Sequence, residues 1–320
     1  MPYKTKQFLV VLIKLSIVVG AFYFIYHKLV NNTELEFRVF FENSSKNDVF
    51  SVKNGLILML LTIFNWFFEI LKWKQLVAFI QNISLKNAME QSLGALTASL
   101  LTPNRIGEYG AKAMFYKKDL RKKIMLLNLI GNMVQMTTTV ILGIVGLVFL
   151  SKNHTLQFDF QKILWLGLFG IFLLSFIYFS LKKNRFEVKG FSLKKIMHFV
   201  YYVPSGIKIQ VSVFSVVRYM IFSFQFYYLL QIFGVPIDYF HAMTVITSMY
   251  LLSSIIPSLF IFDVVIKGSV AVYLFSLVGV NDLTILCIVT LMWLLNFVIP
   301  SIFGSFYVLH FNLPKDEQTL

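Results

Sequence analysis

Long apolar runs separated by short, base-rich polar loops set the pattern of this chain. Runs over 8–29, 54–72, 124–150, 163–181, 210–233 and 283–310 each come close to or exceed the about 20 residues that a helix needs to cross a bilayer. They predict six full transmembrane helices. Two further apolar stretches are broken by proline. The first covers 84–101, breaks at Thr102-Pro103 and resumes over 107–116, an arm about 15 Å long as a helix and too short to span. The second covers 240–256, breaks at Pro257 and resumes over 260–278. Lys72, Lys74 and Lys86 precede the first break, and Lys117, Lys118, Arg121, Lys122 and Lys123 follow it. Bases on both flanks predict a re-entrant hairpin that returns to its side of entry. The expected fold is an all-α polytopic membrane protein, one transmembrane domain over 1–320, with six full spans and two oppositely oriented re-entrant hairpins. Eight crossings, with both arms of the second hairpin spanning, is the alternative.

Composition agrees with that pattern. The 320 residues are 58% hydrophobic and 14% charged, with 35 Phe, whereas soluble domains carry about 25% charged residues. A net charge of +14 raises nucleic acid as a partner, but the bases cluster in loops beside apolar runs. That placement belongs to positive-inside topology and to contact with anionic lipid, so membrane lipids are the expected partners and nucleic acid is not. With Arg105, Lys112, Arg218 and Lys267 set aside as lying inside helices or hairpins, 19 of the other 25 Lys and Arg fall on the side of the N-terminus. Both termini are therefore expected in the cytoplasm, and the chain in the inner (cytoplasmic) membrane as a multi-pass protein. Lys4 and Lys6 ahead of the first run read as a signal anchor. Trp73 and Lys74 read as markers of a membrane interface. Leu193, Ile196, Met197, Val200 and Tyr201 fit one face of an amphipathic helix on the inner leaflet. Cys287 is the single cysteine, which excludes an intramolecular disulfide.

The candidate chemistry lies at the breaks. Pro103-x4-Glu108-x3-Lys112 is echoed by Pro257-x5-Asp263-x3-Lys267. With the topology above, 54–150 and 208–312 become two inverted repeats whose broken helices meet near the membrane midplane, a plan that secondary transporters use. Backbone freed by a proline inside a membrane is tolerated only beside protein or a water-filled cavity. A helix starting at Ile106-Gly107 would present its first amides to an anion, and Arg105 suits a phosphate. Candidate substrate-binding residues are Arg105, Gly107, Glu108, Lys112, Asp263 and Lys267, with Pro103 and Pro257 as the helix breaks. Glu108 and Asp263 are also candidates for binding a cationic headgroup or a coupling proton or sodium ion. Both acid–base pairs are i,i+4 with the acid first, so mutual neutralisation is the competing reading. Asn65, Glu69, Asn128, Asn132 and Gln135 form the candidate polar lining. For Glu69 the alternative is a local pair with Lys72, and for the asparagine–glutamine stripe it is hydrogen bonding between helices. His27, His154, His198, His241 and His310 are dispersed without metal-ligand spacing. No nucleotide loop, nucleophile elbow or zinc-protease motif is present. The sequence therefore predicts no metal, no cofactor and no enzymatic activity, and it does not indicate an oligomeric state.

The stretch Thr102-Pro103-Asn104-Arg105-Ile106-Gly107-Glu108-Tyr109-Gly110-Ala111-Lys112-Ala113 resembles the transmembrane region of bacterial lysylphosphatidylglycerol synthases, a flippase-like family of inner-membrane proteins. The region Pro257 to Lys267, followed by Gly279-Val280, resembles the family's second motif. Here it departs from the pattern, with Ser258-Leu259-Phe260-Ile261-Phe262-Asp263 where glycines and a glutamate are usual. The resemblance implies lipid translocation, of an anionic phospholipid or a lipid-linked saccharide. It does not imply lysyl transfer, because 320 residues leave no room for the soluble transferase domain. A membrane-embedded enzyme or accessory protein acting on lipid-linked envelope precursors is the alternative expectation.

Overall fold

The computed structural model describes residues 19, 23, 51–100, 102, 106–153, 187–188, 191–255 and 263–312. The expected spans over 8–29 and 163–181, together with Pro103, Arg105 and Pro257, lie outside the described residues. What is described is helical apart from a two-residue antiparallel pairing, β1 (Glu187–Val188) with β2 (Phe191–Ser192).

Helix α1 spans Val52–Ala78, capped by Ser51, whose hydroxyl accepts from the Asn54 amide. Helix α2 spans Leu85–Ser99, with Ser84 capping the Asn87 amide in the same way. The chain then breaks and restarts as α3, Gly107–Met114. Helix α4 covers Lys118–Asn153, α5 Leu193–Tyr202, α6 Ser205–Ile232, α7 Tyr239–Ile255 and α8 Asp263–Ser276. Helix α9 spans Asp282–Trp293. A π-helical turn over Leu294–Val298 joins it to α10, Ile299–His310.

Among the described residues, four helical segments are long and apolar enough to cross a membrane: α1, α4, α6 and the continuous α9–α10. Their outward faces carry large apolar side chains, including Leu60 and Phe64 on α1, Ile141 and Val148 on α4, and Phe303 and Phe306 on α10. This is the surface a lipid-embedded helix presents. Four further helices are shorter. At 15, 8, 17 and 14 residues, α2, α3, α7 and α8 each fall below the about 20 residues of a full span.

The element ends follow the sequence closely. Gly234 and Gly279 adopt φ of 71° and 75°, the left-handed conformation that suits glycine. Each closes a helix by returning the next residue's amide, Val235 to Leu230 O and Val280 to Phe275 O, both at 3.0 Å, as in a Schellman motif. Asn281 caps α9 through the amides of Leu283 and Thr284. Asp238 caps α7 by accepting from the amides of Phe240 and His241, and its second oxygen meets the His241 ring.

Two expectations need correction. The third span does not begin after the basic run; α4 starts at Lys118, so Lys118, Arg121, Lys122 and Lys123 occupy its first two turns. Nothing in that run breaks a helix, and Asp119 in the first turn favours one. The last span runs as expected, over Asp282–His310, with a π-helical turn inside it. Pro300 has no N–H to return to the carbonyl four residues back, and the ladder widens into the π turn just before it. Trp73 is not an interface marker, because α1 continues to Ala78 and the indole is 1% exposed inside the bundle.

Three long antiparallel contacts organise the bundle. α1 lies on α6, joined from the Tyr228 hydroxyl to Asn54 at one end and by the Phe68–Phe214 ring contact at the other. α2 lies on α10, where Gly304 sits directly against the Leu93 carbonyl and the Thr97 hydroxyl. α7 lies on α4, where Gly143 and Gly146 meet Thr244, Thr247 and Leu251. A methyl group added to any of these three glycines would collide with its neighbours. Small residues thus let backbones approach where lipid gives helices no hydrophobic reason to associate. α3 packs between α2 and α4, and α8 between α7 and α9. Helix α5 places Phe199 against Phe79 at the end of α1, while Met197 and Tyr201 face outward.

Candidate functional site

Charge collects where α1, α3, α4 and α6 face one another. One carboxylate oxygen of Glu69 on α1 lies 2.7 Å from Lys72 Nζ on the same helix and 2.7 Å from Arg218 Nη1 on α6. On α3, Lys112 Nζ donates to Glu108 Oε1 at 2.8 Å and to Asn128 Oδ1 of α4 at 2.9 Å. The same ammonium lies 4.2 Å from the centre of the Trp73 ring, a cation–π contact that ties α3 to α1. Lys72 and Lys112 are 3% and 1% exposed. The Arg218 side chain is the accessible member, at 21%. Among the described residues, two carboxylates therefore face three cations in a low-dielectric interior. Ionisable groups at membrane depth are rare and mark functional paths by default.

A line of neutral amides leaves this centre. Arg218 Nε donates to Asn65 Oδ1 at 3.1 Å, Asn65 Nδ2 to Asn296 Oδ1 at 2.7 Å, and Asn296 Nδ2 to Gln225 Oε1 at 2.9 Å. Gln225 Nε2 then donates to Thr62 Oγ1 at 2.9 Å and to the Leu58 carbonyl at 3.1 Å. A guanidinium can only donate, so Arg218 fixes which end of each amide is oxygen all along the line. Pro300 contributes as well. It leaves the Asn296 carbonyl without its usual helical donor, and the Trp66 indole donates to that oxygen at 3.1 Å. On the other flank, Gln91 Oε1 accepts from Trp73 Nε1 and Tyr116 OH, both at 2.8 Å. These bonds hold α2 and the residue just past α3 against α1.

Of the expected site residues, Glu69, Glu108, Lys112, Asn65 and Asn128 share this centre. Asn132 donates to the Tyr109 hydroxyl at 3.0 Å and Gln135 to the Ser215 carbonyl at 3.4 Å, both beside the centre rather than in it. Gly107 opens α3 as expected, but its amide is taken by the Thr102 hydroxyl at 2.8 Å. An added Cβ there would lie 2.8 Å from the Thr102 methyl. The glycine serves the close turn between α2 and α3, and that amide is not offered to an anion. Lys267 lies on α8 with its ammonium 6.0 Å from the Phe297 ring, next to the π turn. Asp263 begins α8, and its side chain lies outside the described residues, as do Arg105, Pro103 and Pro257.

Arg218, Lys72, Gln225 and Asn296 are the members that the site expectation left out. A signal existed for three of them. An arginine, a glutamine and an asparagine in the middle of apolar runs are functional candidates by depth alone. From the sequence, Lys72 stands only as the alternative local partner of Glu69, and the structure shows that pair. No protein-family model matches this chain, and no curated protein matches it.

Proposed function

We propose that the protein is a flippase-like transporter that moves an anionic phospholipid or lipid-linked saccharide headgroup across the cytoplasmic membrane. The observation that carries this reading is the buried, net-positive centre built from Glu69, Lys72, Glu108, Lys112 and Arg218, where the short α3 meets the apolar helices α1, α4 and α6. A charged cluster at that depth has to be kept for what it meets, since apolar residues of similar volume are often neutral or stabilising replacements for a buried ion pair. Headgroups pass along the polar hairpins in this scheme while acyl chains remain in lipid.

The packing scheme supports an inverted-repeat plan with re-entrant hairpins. Exchanging α1 with α6, α2 with α7, α3 with α8, and α4 with α9–α10 converts the α2–α10 contact into the α7–α4 contact and maps α1–α6 onto itself. Both exchanged contacts run through glycine, Gly304 in one and Gly143 with Gly146 in the other. Residues 54–150 and 208–312 are then the two repeats, with both termini cytoplasmic by the distribution of bases. The resemblance over 102–113 points the same way.

The test is lipid movement in proteoliposomes holding fluorescent phosphatidylglycerol or a fluorescent polyprenyl phosphosaccharide, read by quenching of the outer leaflet. The protein is expected to accelerate exchange of at least one of them, and Arg218→Ala to abolish the acceleration at unchanged reconstitution. No acceleration of either lipid overturns the proposal.

A further inference from the structure

We infer that Glu69 is a built-in stand-in for the ligand: its carboxylate occupies the position on Arg218 that a phosphate group takes when the site is loaded. This rests on the anionic-headgroup reading above and deepens it.

The geometry is that of a displaceable pair. One oxygen of Glu69 serves two cations at 2.7 Å each, Lys72 on its own helix and Arg218 on another. Arg218 meanwhile spreads its planar fork over two acceptors, Nη1 on Glu69 and Nε on the Asn65 amide. A guanidinium fork matches a single oxyanion in two parallel bonds, so its best acceptor geometry is unused. The Arg218 side chain is partly exposed, whereas Lys72 is sealed in.

The energetics explain why two cations share one carboxylate. Removing one partner of a buried pair is strongly destabilising, because a charge is left uncompensated. A carrier that alternates between loaded and empty must therefore hold an internal anion for Arg218 while it is empty. When phosphate takes Arg218, Glu69 must in turn keep a cation. Lys72, three residues away on the same helix, is that cation and moves with it. The exchange leaves no member unpaired at either stage, and the surplus positive charge is neutralised only when the ligand is in place.

The consequence is unusual for an acidic residue in an anion site: removing its charge tightens binding. The experiment uses the purified full-length protein in nanodiscs, with tryptophan fluorescence titrated by short-chain phosphatidylglycerol, by inorganic phosphate and by an uncharged short-chain diacylglycerol. Glu69→Gln is expected to bind the short-chain phospholipid about tenfold more tightly than the parent protein. Arg218→Gln is expected to lose saturable binding, and the double variant to behave as Arg218→Gln does. Diacylglycerol should not bind with this pattern. If Glu69→Gln cannot be recovered folded, Glu69→Asp keeps the charge beside Lys72 but draws it back from Arg218, and a smaller tightening is expected.

Equal or weaker binding by a folded Glu69→Gln or Glu69→Asp overturns the inference, and so does tightening that survives in the double variant. The pattern appearing with inorganic phosphate but not phospholipid supports the stand-in role and removes the lipid reading. The pattern with phospholipid but no movement in proteoliposomes supports the stand-in role and removes transport. Lipid movement with an unchanged Glu69→Gln affinity removes this inference alone.

Discussion

The helix pairs α2–α3 and α7–α8 are placed alike but differ in what α3 and α8 bring to the bundle. α3 carries Glu108 and Lys112 into a buried junction with Asn128 and Trp73. α8 turns Ala271, Leu274 and Phe275 into a continuous apolar core with α6, α7 and α9, and its Lys267 ammonium lies 6.0 Å from the centre of the Phe297 ring. The shared part, glycine-mediated contact of α2 with α10 and of α7 with α4, is scaffold. The charged centre described above is set on α1, α3, α4 and α6.

Four measurements break or sharpen that contrast. Lys112→Met removes the buried cation that Glu108 Oε1 and Asn128 Oδ1 both accept from and should cost about 3–5 kcal/mol, visible as a large fall in thermal unfolding temperature. An unchanged unfolding temperature would remove α3 from the charged centre. Gly146→Leu and Gly304→Leu should each cost about 3 kcal/mol through overpacking, read by size-exclusion and thermal unfolding. Here the two seams should respond equally, and tolerance at one glycine alone would argue against a shared scaffold. Asn296→Leu strands Asn65 Nδ2 and Gln225 Oε1 and should cost about 2 kcal/mol. Gln135→Leu gives up one 3.4 Å bond from a half-buried amide and should cost under about 1 kcal/mol. The smallest effect concerns the entry to α7. The side-chain hydrogen bond with His241, with help from the backbone amides, holds the Asp238 carboxyl below its usual value. A lowered acid pKa gives stability that is present above the ordinary carboxylate range and is lost as pH falls through the lowered value. Amide exchange at Phe240 and His241 should therefore quicken on acidification below that range, and stay unchanged in Asp238→Ala, which has no carboxylate to protonate.

Much of the frame was legible in the sequence because bilayer thickness, proline and glycine act locally. The apolar runs located α1, α4, α6 and α9–α10. Thr102-Pro103 located the stretch between α2 and α3. The site was legible only in part. Glu108 and Lys112 stand out because they are four residues apart in a short arm, yet the partners that define their surroundings come from other helices. No period in the sequence places Arg218 beside Glu69, or Asn296 between Asn65 and Gln225, since those pairings depend on how each helix is rotated about its own axis. The Glu69–Lys72 pair was legible as a local alternative, since three residues along one helix bring the two together, whereas Trp73 looks like a membrane boundary until the helix is seen to continue to Ala78.

The amide line from Arg218 through Asn65, Asn296 and Gln225 to Thr62 has a consequence for how the bundle can deform. Each side chain in it gives with nitrogen and takes with oxygen, and the charged end forbids the reverse sense. Turning any one amide over would set nitrogen against nitrogen at one joint and oxygen against oxygen at the next. The line thus works as a rivet through α1, α6 and the π turn, making those three a single stiff plate. Any rocking has to take place at its margins, along the bare glycine seams where α2 meets α10 and α7 meets α4.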